Sequence, residues 1–359
     1  MWGDIIKKER LLITLGVIVI TLFGLFMIYS SSRIWADYKY HDEFKYFKNQ
    51  LIFFVIGLVL MINISKIDYH IYYKNSSKIV LICLICLILV LIPGIGSVRN
   101  GSRSWFRIGS FGIQPSEFTK LGLIIFTSKY LTKYKKMLPI LLLLGLVFGL
   151  IMLQPDFGTG MVLVMSIFGI LFIGGMSMSF IYKISFLGVL GIIGLIIIAP
   201  YRLARILSFL NPWSDPLGSG FQIIQSLYAI GPGGLFGQGI GNSIQKYFYL
   251  PEPQTDFIFA IISEELGFLG VLIVVSLLGL IIYNGFKIAY KTNDLFGKYL
   301  AFGISFSLAF QAILNLMVVV GLIPVTGVTL PFLSYGGSSL LISMVSIGIV
   351  LNVARNSTK

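Results

Sequence analysis

The stretch Leu11–Tyr29 reads LLITLGVIVITLFGLFMIY, an apolar run without a charged side chain. A helix rises about 1.5 Å per residue, so about 20 such residues cross a hydrocarbon core of about 30 Å. The run exceeds the roughly 7–15 residues of a signal-peptide core, and no A-x-A-like cleavage site follows it. It is expected to stay attached as the first membrane span.

Working outward, the whole chain shares this character. Of 359 residues, 57% are hydrophobic and 11% charged, and the mean hydropathy is +0.93. A soluble domain carries roughly a quarter charged residues. An ordinary soluble enzyme, a disordered chain and a disulfide scaffold are therefore excluded. The apolar runs predict an all-α membrane protein, a polytopic bundle of ten transmembrane helices in a single domain, 1–359. The expected spans are 11–30, 47–64, 78–95, 117–133, 137–153, 158–176, 179–200, 257–286, 298–322 and 331–354.

The net charge of +13 would suggest nucleic acid in a soluble protein, but in a membrane protein Lys and Arg collect in cytoplasmic loops. No nucleic-acid partner is expected. Sixteen basic residues fall on the side of the termini, among them Lys7, Lys8, Arg10, Lys287, Lys291 and Arg355, in about 60 loop residues. Ten fall on the opposite side, in roughly twice the length. Both termini are thus expected in the cytoplasm, the segments 31–46, 96–116, 201–256 and 323–330 outside, and any chemistry extracytoplasmic. The segment 201–256, rich in Gly and Pro yet studded with Phe, Tyr and Ile, predicts a folded, partly helical cap with a short helix near Phe221–Ile230.

With only 14 acidic residues, each one near a span is informative, because an ionisable group in a membrane is costly. Asp256 ends PEPQTD at the outer mouth of the eighth span, where it suits either a general base or the helix N-cap; the residues leave both readings open. Glu264 and Glu265 lie deeper. Only one of two consecutive residues faces a given helix stripe, so one is expected to face the interior. Glu117 and Lys120 are spaced to pair on one helix face, and Asp156 in QPDFGTG suits a turn or cap. The outer cations Arg103, Arg107, Arg202, Arg205 and Lys246 suit an anionic partner, either lipid headgroups or a pyrophosphate.

Other patterns read blandly. GQGIG at Gly237–Gly241 lacks the strand and Lys-Ser/Thr of a nucleotide loop and reads as turn chemistry. LPFLSYGGSS at Leu330–Ser339 offers small residues for close packing, with Ser334 a candidate substrate contact. Cys83 and Cys86 lie within an apolar run and read as small packing side chains. His41 and His70 fall on opposite sides of the membrane, so they cannot share a metal.

Several blocks together carry a specific resemblance. They are NGSRSWFRIGSFGIQPSEFTKL (Asn100–Leu121), QPDFGTG (Gln154–Gly160), SFLNPWSDPLGSGFQIIQSLYAIGPGGLFGQGIG (Ser208–Gly241), YLPEPQTDFIFAIISEELGFLG (Tyr249–Gly270) and GLIPVTGVTLPFLSYGGSSLL (Gly321–Leu341). The chain resembles the SEDS family of shape, elongation, division and sporulation proteins, on its FtsW and stage V sporulation protein E branch rather than its RodA branch. The resemblance implies a cell-membrane peptidoglycan glycosyltransferase that polymerises lipid II at the outer leaflet, for cell division or sporulation. It also implies a class B penicillin-binding protein as transpeptidase partner. It places the catalytic aspartate at Asp256, maps the family's acid–base pair onto Glu117 and Lys120, and puts Arg103 beside Ser104, where many relatives carry arginine.

The reaction then expected is inverting transfer with Asp256 as general base. Arg103, Arg202, Arg205, Lys246 or a divalent cation, magnesium or manganese, would steady the departing undecaprenyl pyrophosphate. No tightly bound cofactor is expected. The alternatives are a lipid II flippase, for which inverted repeats would be a sign and none is evident, and a non-catalytic scaffold of the cell-wall machinery.

Overall fold

The structure, a computed structural model, describes residues 2–99, 101–109, 111–134, 136–198, 203 and 207–357. Its helices follow the apolar runs. They are α1 (Trp2–Tyr40), α2 (Lys45–Ile64), α3 (His70–Leu89), α4 (Pro115–Lys133), α5 (Leu138–Met152), α6 (Phe157–Ile173), α7 (Met178–Ile198), α8 (Phe221–Ile230), α9 (Ile258–Lys291), α10 (Leu295–Val319) and α11 (Gly337–Asn356). Six of them, Lys7–Tyr40 of α1 together with α2, α3, α9, α10 and α11, are long and apolar enough to cross a membrane. α5 and α6 are apolar but shorter, at 15 and 17 residues. The chain is a multi-pass membrane protein.

α9 and α10 form the centre of the bundle. α9 packs against α1 and α10, α10 against α4 and α6, and α2 against α11. Their buried faces merge into one apolar core that includes Ile13, Met61, Ile124, Ile167, Ile261, Ile304 and Val350. Leu142 and Leu146 of α5 and Phe268 and Leu272 of α9 stay exposed, as side chains facing lipid must, since hydrocarbon is as apolar as they are.

Several boundaries depart from the expected spans, three of them for clear local reasons. α1 runs ten residues past 30, because Ser31 to Tyr40 hold no helix breaker. α3 begins at His70 rather than 78, because its polar first turns, Tyr72 to Ser77, are compatible with helix outside lipid. α11 begins at Gly337 rather than 331, because Phe332 takes a left-handed φ of 66° in a turn that precedes the helix.

The chain is mostly helical, as expected, and carries one small sheet besides. Ser97–Arg99 (β1), Ser102–Ile108 (β2) and Phe111–Ile113 (β3) form a three-stranded antiparallel sheet, with Arg99 opposite Ser102 and Phe106 opposite Ile113. Asn100-Gly101 is a strong hairpin signal in a sequence, and Gly101 takes the positive φ of 79° that such a turn requires. The sheet leads directly into Pro115, the first residue of α4, whose missing N–H costs nothing at that position.

Candidate active site

A polar cavity of about 570 Å³ opens beneath the segment 251–256. The sheet supplies Arg99, Ser102, Ser104 and Trp105 to its wall, and α4 supplies Glu117 and Lys120. Asp156 comes from the turn before α6, and Glu252 and Asp256 from the end of the cap. Four carboxylates and two cations therefore face one space.

Two of those carboxylates are held by ion pairs. Lys120 Nζ lies 3.0 Å from Glu117 Oε2, with both side chains under a tenth exposed, and donates to Gln311 Oε1 at 2.8 Å. Arg99 reaches Glu252 at 3.7 Å and lies 5.9 Å from the Trp105 ring centroid. Asp156 caps α6 by accepting from the Thr159 amide at 3.1 Å and accepts from Gln114 Nε2 at 2.8 Å. Burial pushes its carboxyl above the ordinary carboxylate range, outweighing the hydrogen bonds from Thr159.

Asp256 is positioned from both ends. Asn315 of α10 donates from Nδ2 to the Asp256 carbonyl and to the Val328 carbonyl, each at 2.7 Å. The Thr255 hydroxyl lies 2.9 Å from Asp256 Oδ1 and 2.7 Å from the Glu252 carbonyl, and donates to one of them at a time. Asp256 directly precedes Phe257, the N-cap residue of α9, and lines the cavity. Gln311 and Asn315, one turn apart on α10, thus hold Lys120 and the Asp256 backbone on one side of the cavity. Neither was a sequence candidate. The signal was present as two amides four residues apart in an otherwise apolar helix, a pattern that is costly unless both find partners.

The cap is locked into a break in α9. Gly267 leaves the helical region at φ 63°, ψ −158°, a conformation open essentially to glycine alone. The Gly-rich segment of the cap enters that gap: Gln238 N–H donates to the Glu264 carbonyl at 2.8 Å and Gly239 N–H to the Glu265 carbonyl at 3.0 Å. In return Phe268 N–H donates to the Gly234 carbonyl at 2.9 Å. The backbone groups released by the break are therefore satisfied, as the membrane requires. A Cβ on Gly237 would collide with the Glu265 carbonyl group, so this glycine serves close backbone approach, while Gly239 and Gly241 take the positive φ of turn residues as expected.

This docking corrects the reading of the two adjacent glutamates. Both are buried, because the cap covers the side of α9 that would otherwise face outward. Glu264 accepts from the Ser243 hydroxyl and from Ile244 N–H, each within 2.8 Å. Glu265 accepts from Ser30 of α1 at 2.8 Å and from Lys246 Nζ at 2.9 Å.

Other candidates fall as follows. Lys246, expected to face an anion, is turned inward with its side chain 1% exposed and does not line the cavity. Glu264 does not line it either. Arg103 sits between two cavity-facing serines and is not itself a lining residue; Arg99, one strand away, is the arginine that the sheet presents there. Ser334 is buried, accepts from Leu330 N–H at 2.8 Å and staples its own turn, while its neighbours Tyr335, Gly336 and Gly337 line the cavity. Arg202 and Arg205 lie outside the described residues. Cys83 and Cys86 are free thiols, Cys83 buried, as packing side chains are.

Fold and site together define a multi-pass helical membrane protein with a carboxylate-rich cavity beneath a cap docked into a broken helix. The chain belongs to the FtsW/RodA/SpoVE family, described as cell cycle protein, whose match runs over residues 10–359. It is 50% identical to stage V sporulation protein E of Bacillus subtilis (strain 168), over 98% of each chain. It is 42% identical to a probable peptidoglycan glycosyltransferase FtsW of Trichlorobacter lovleyi, over 97% of this chain and 94% of that one. A chain from a solved peptidoglycan synthase complex that coordinates polymerization and crosslinking superposes with a TM-score of 0.78 at 30% identity, covering 96% of this chain and 97% of that one. The crystal structure of the rod shape determining protein RodA of Thermus thermophilus superposes at 0.70 with 28% identity, covering 97% of each chain.

Proposed function

We propose that this chain is a peptidoglycan glycosyltransferase that polymerises lipid II at the outer face of the cytoplasmic membrane, for division or sporulation, with Asp256 as the general base. The observation that carries the reading is the Asp256 carboxylate at the wall of a polar cavity large enough for a sugar, with its backbone clamped by Asn315. A base that keeps its place spends none of the barrier on reorganisation.

In this reading the carboxylate takes the proton from the acceptor sugar's 4-hydroxyl. The hydroxyl oxygen attacks the anomeric carbon of the donor strand, and the bond to undecaprenyl pyrophosphate breaks with inversion. Negative charge grows on the departing phosphate oxygens, and Arg99 and Lys120 are the cations that the cavity wall offers it. Among the described residues no three of His, Cys, Asp or Glu converge to hold a metal. No step is routed through magnesium or manganese.

The excess of basic residues beside the termini supports a cytoplasmic location for both ends and an extracytoplasmic cavity, and the apolar runs of the sequence support ten spans. The family supports a class B penicillin-binding protein as partner. The deciding experiment is polymerisation of purified lipid II by the full chain with its partner transpeptidase. Asp256→Ala is expected to make no glycan while keeping its elution profile and partner binding; full polymerisation by that variant would refute the assignment. Transfer of labelled lipid II across vesicles by the variant and wild type alike would favour a flippase instead.

A further inference from the structure

On the side of the chain termini, away from Asp256, a cleft of about 900 Å³ runs between α1 and α9. Along α9 it extends from Ser276 to Lys287, which at the helical rise is about 16 Å. That matches one leaflet, since the whole hydrocarbon core is about 30 Å thick. Its far end carries small and apolar residues with one hydroxyl: Ser276, Gly279 and Leu280 line it, and a Cβ on Gly279 would meet nothing within 4 Å. Its mouth carries Lys8 and Lys287, with Glu9 between them.

Among the described lining residues, two lysines and one carboxylate stand at the mouth. One oxygen of Glu9 takes both Lys287 at 2.9 Å and Lys291 at 2.6 Å, while its other oxygen, buried, has no hydrogen-bond partner. Glu9 thus bridges two lysines of α9, and Lys8 lines the same cleft. We infer that the cleft binds one anionic glycerophospholipid with a hydroxylated head group, phosphatidylglycerol being the fitting class. Its phosphate lies on Lys8 and Lys287, a head-group hydroxyl donates to the unpartnered oxygen of Glu9, and one acyl chain fills the slot over Gly279. Basic pockets between spans are established sites for such headgroups. A soluble anion would have no use for the apolar slot, and a lipid in the bulk annulus would have no use for the buried oxygen. The inference is independent of the glycosyl-transfer reading, because it concerns the opposite end of the bundle.

The test is native mass spectrometry of the full chain in detergent after incubation with phosphatidylglycerol or with phosphatidylcholine. The wild type is expected to retain one phosphatidylglycerol under activation that strips phosphatidylcholine. Gly279→Leu, which fills the slot without touching a charge, and Lys8→Ala, which removes an exposed cation, are each expected to reduce the retained adduct at least tenfold. Leu142→Ala, on the lipid face of α5, is expected to leave it unchanged. Equal retention of both lipids, or an undiminished adduct in Gly279→Leu, would mean annular lipid only and overturn the proposal. A dimer peak in place of the lipid adduct would overturn it in favour of a second copy of the chain.

Discussion

Lys246 Nζ of the cap lies 2.9 Å from Glu265 Oε1 of α9, and solvent reaches neither side chain. Ser30 of α1 adds a hydroxyl to the same carboxylate, so one buried charge ties cap, α9 and α1 together. Removing one member of a buried pair strands the other and costs about 3–5 kcal/mol, whereas replacing both with apolar groups is often neutral. Lys246→Met is therefore expected to lower the thermal midpoint of the detergent-purified protein strongly. Lys246→Met combined with Glu265→Leu should recover most of that loss. A double variant no better than the single one would show that the pair contributes more than mutual neutralisation.

Gly267 holds the break in α9 open to the cap. A side chain there would meet Gly237 N and, at 2.8 Å, the Gly233 carbonyl oxygen, both backbone atoms that cannot step aside. Forcing a non-glycine residue into such a backbone conformation costs about 1–3 kcal/mol before any clash is counted. Gly267→Ala should expel the cap segment, seen as faster proteolysis within 231–250 and a loss of polymerisation together. Unchanged proteolysis would mean that the docking contributes little to cap order.

The Glu117–Lys120 pair separates folding from chemistry. Glu117→Gln leaves the buried Lys120 ammonium hydrogen-bonded to Gln311 without its carboxylate, and a stability loss of about 3–5 kcal/mol is expected. Glu117→Gln with Lys120→Met should fold nearly as well as wild type yet polymerise lipid II poorly, because the cavity has lost a cation. Normal turnover in the folded double variant would confine the pair to a structural role.

Asp215 supplies a pH-sensitive turn in the cap. Its Oδ2 accepts from the Ser219 backbone N–H at 2.8 Å and from the Ser219 hydroxyl at 3.0 Å, and these bonds hold its carboxyl below the ordinary value of 3.8. A depressed carboxyl stabilises the fold above its unfolded value and loses that contribution as pH falls through the folded one. Protection of the Ser219 amide against hydrogen exchange should thus be full above about pH 4 and decline in more acidic solution. Asp215→Asn, which still accepts, should show no such decline.

How much of this was legible in the sequence differs from residue to residue. Helix position and type were legible because the apolar runs are about as long as a bilayer is thick, a constraint that acts on each segment by itself. Asp256 stood out because carboxylates are rare in this chain, and Glu117 and Lys120 because their spacing on a helix brings them together without help from elsewhere. The sheet was missed although Asn100-Gly101 announces a hairpin, since short strands are faint beside apolar runs of twenty residues.

What the sequence by itself determined is the local part: the spans, the rarity and placement of charge, and the pairs made within one helix. Only the tertiary structure decided which charges work at the cavity and which hold the fold. Lys246 and Arg99 are both outer cations in the sequence, yet one is buried against Glu265 and the other lines the cavity. Gln311 and Asn315 acquire their partners from segments 18 to 191 residues away, or 13 in the case of Val328. The physical reason is burial. A charge or amide near a membrane must be satisfied by something, but its partner comes from whichever segment the folded chain brings against it, and no local pattern encodes that encounter.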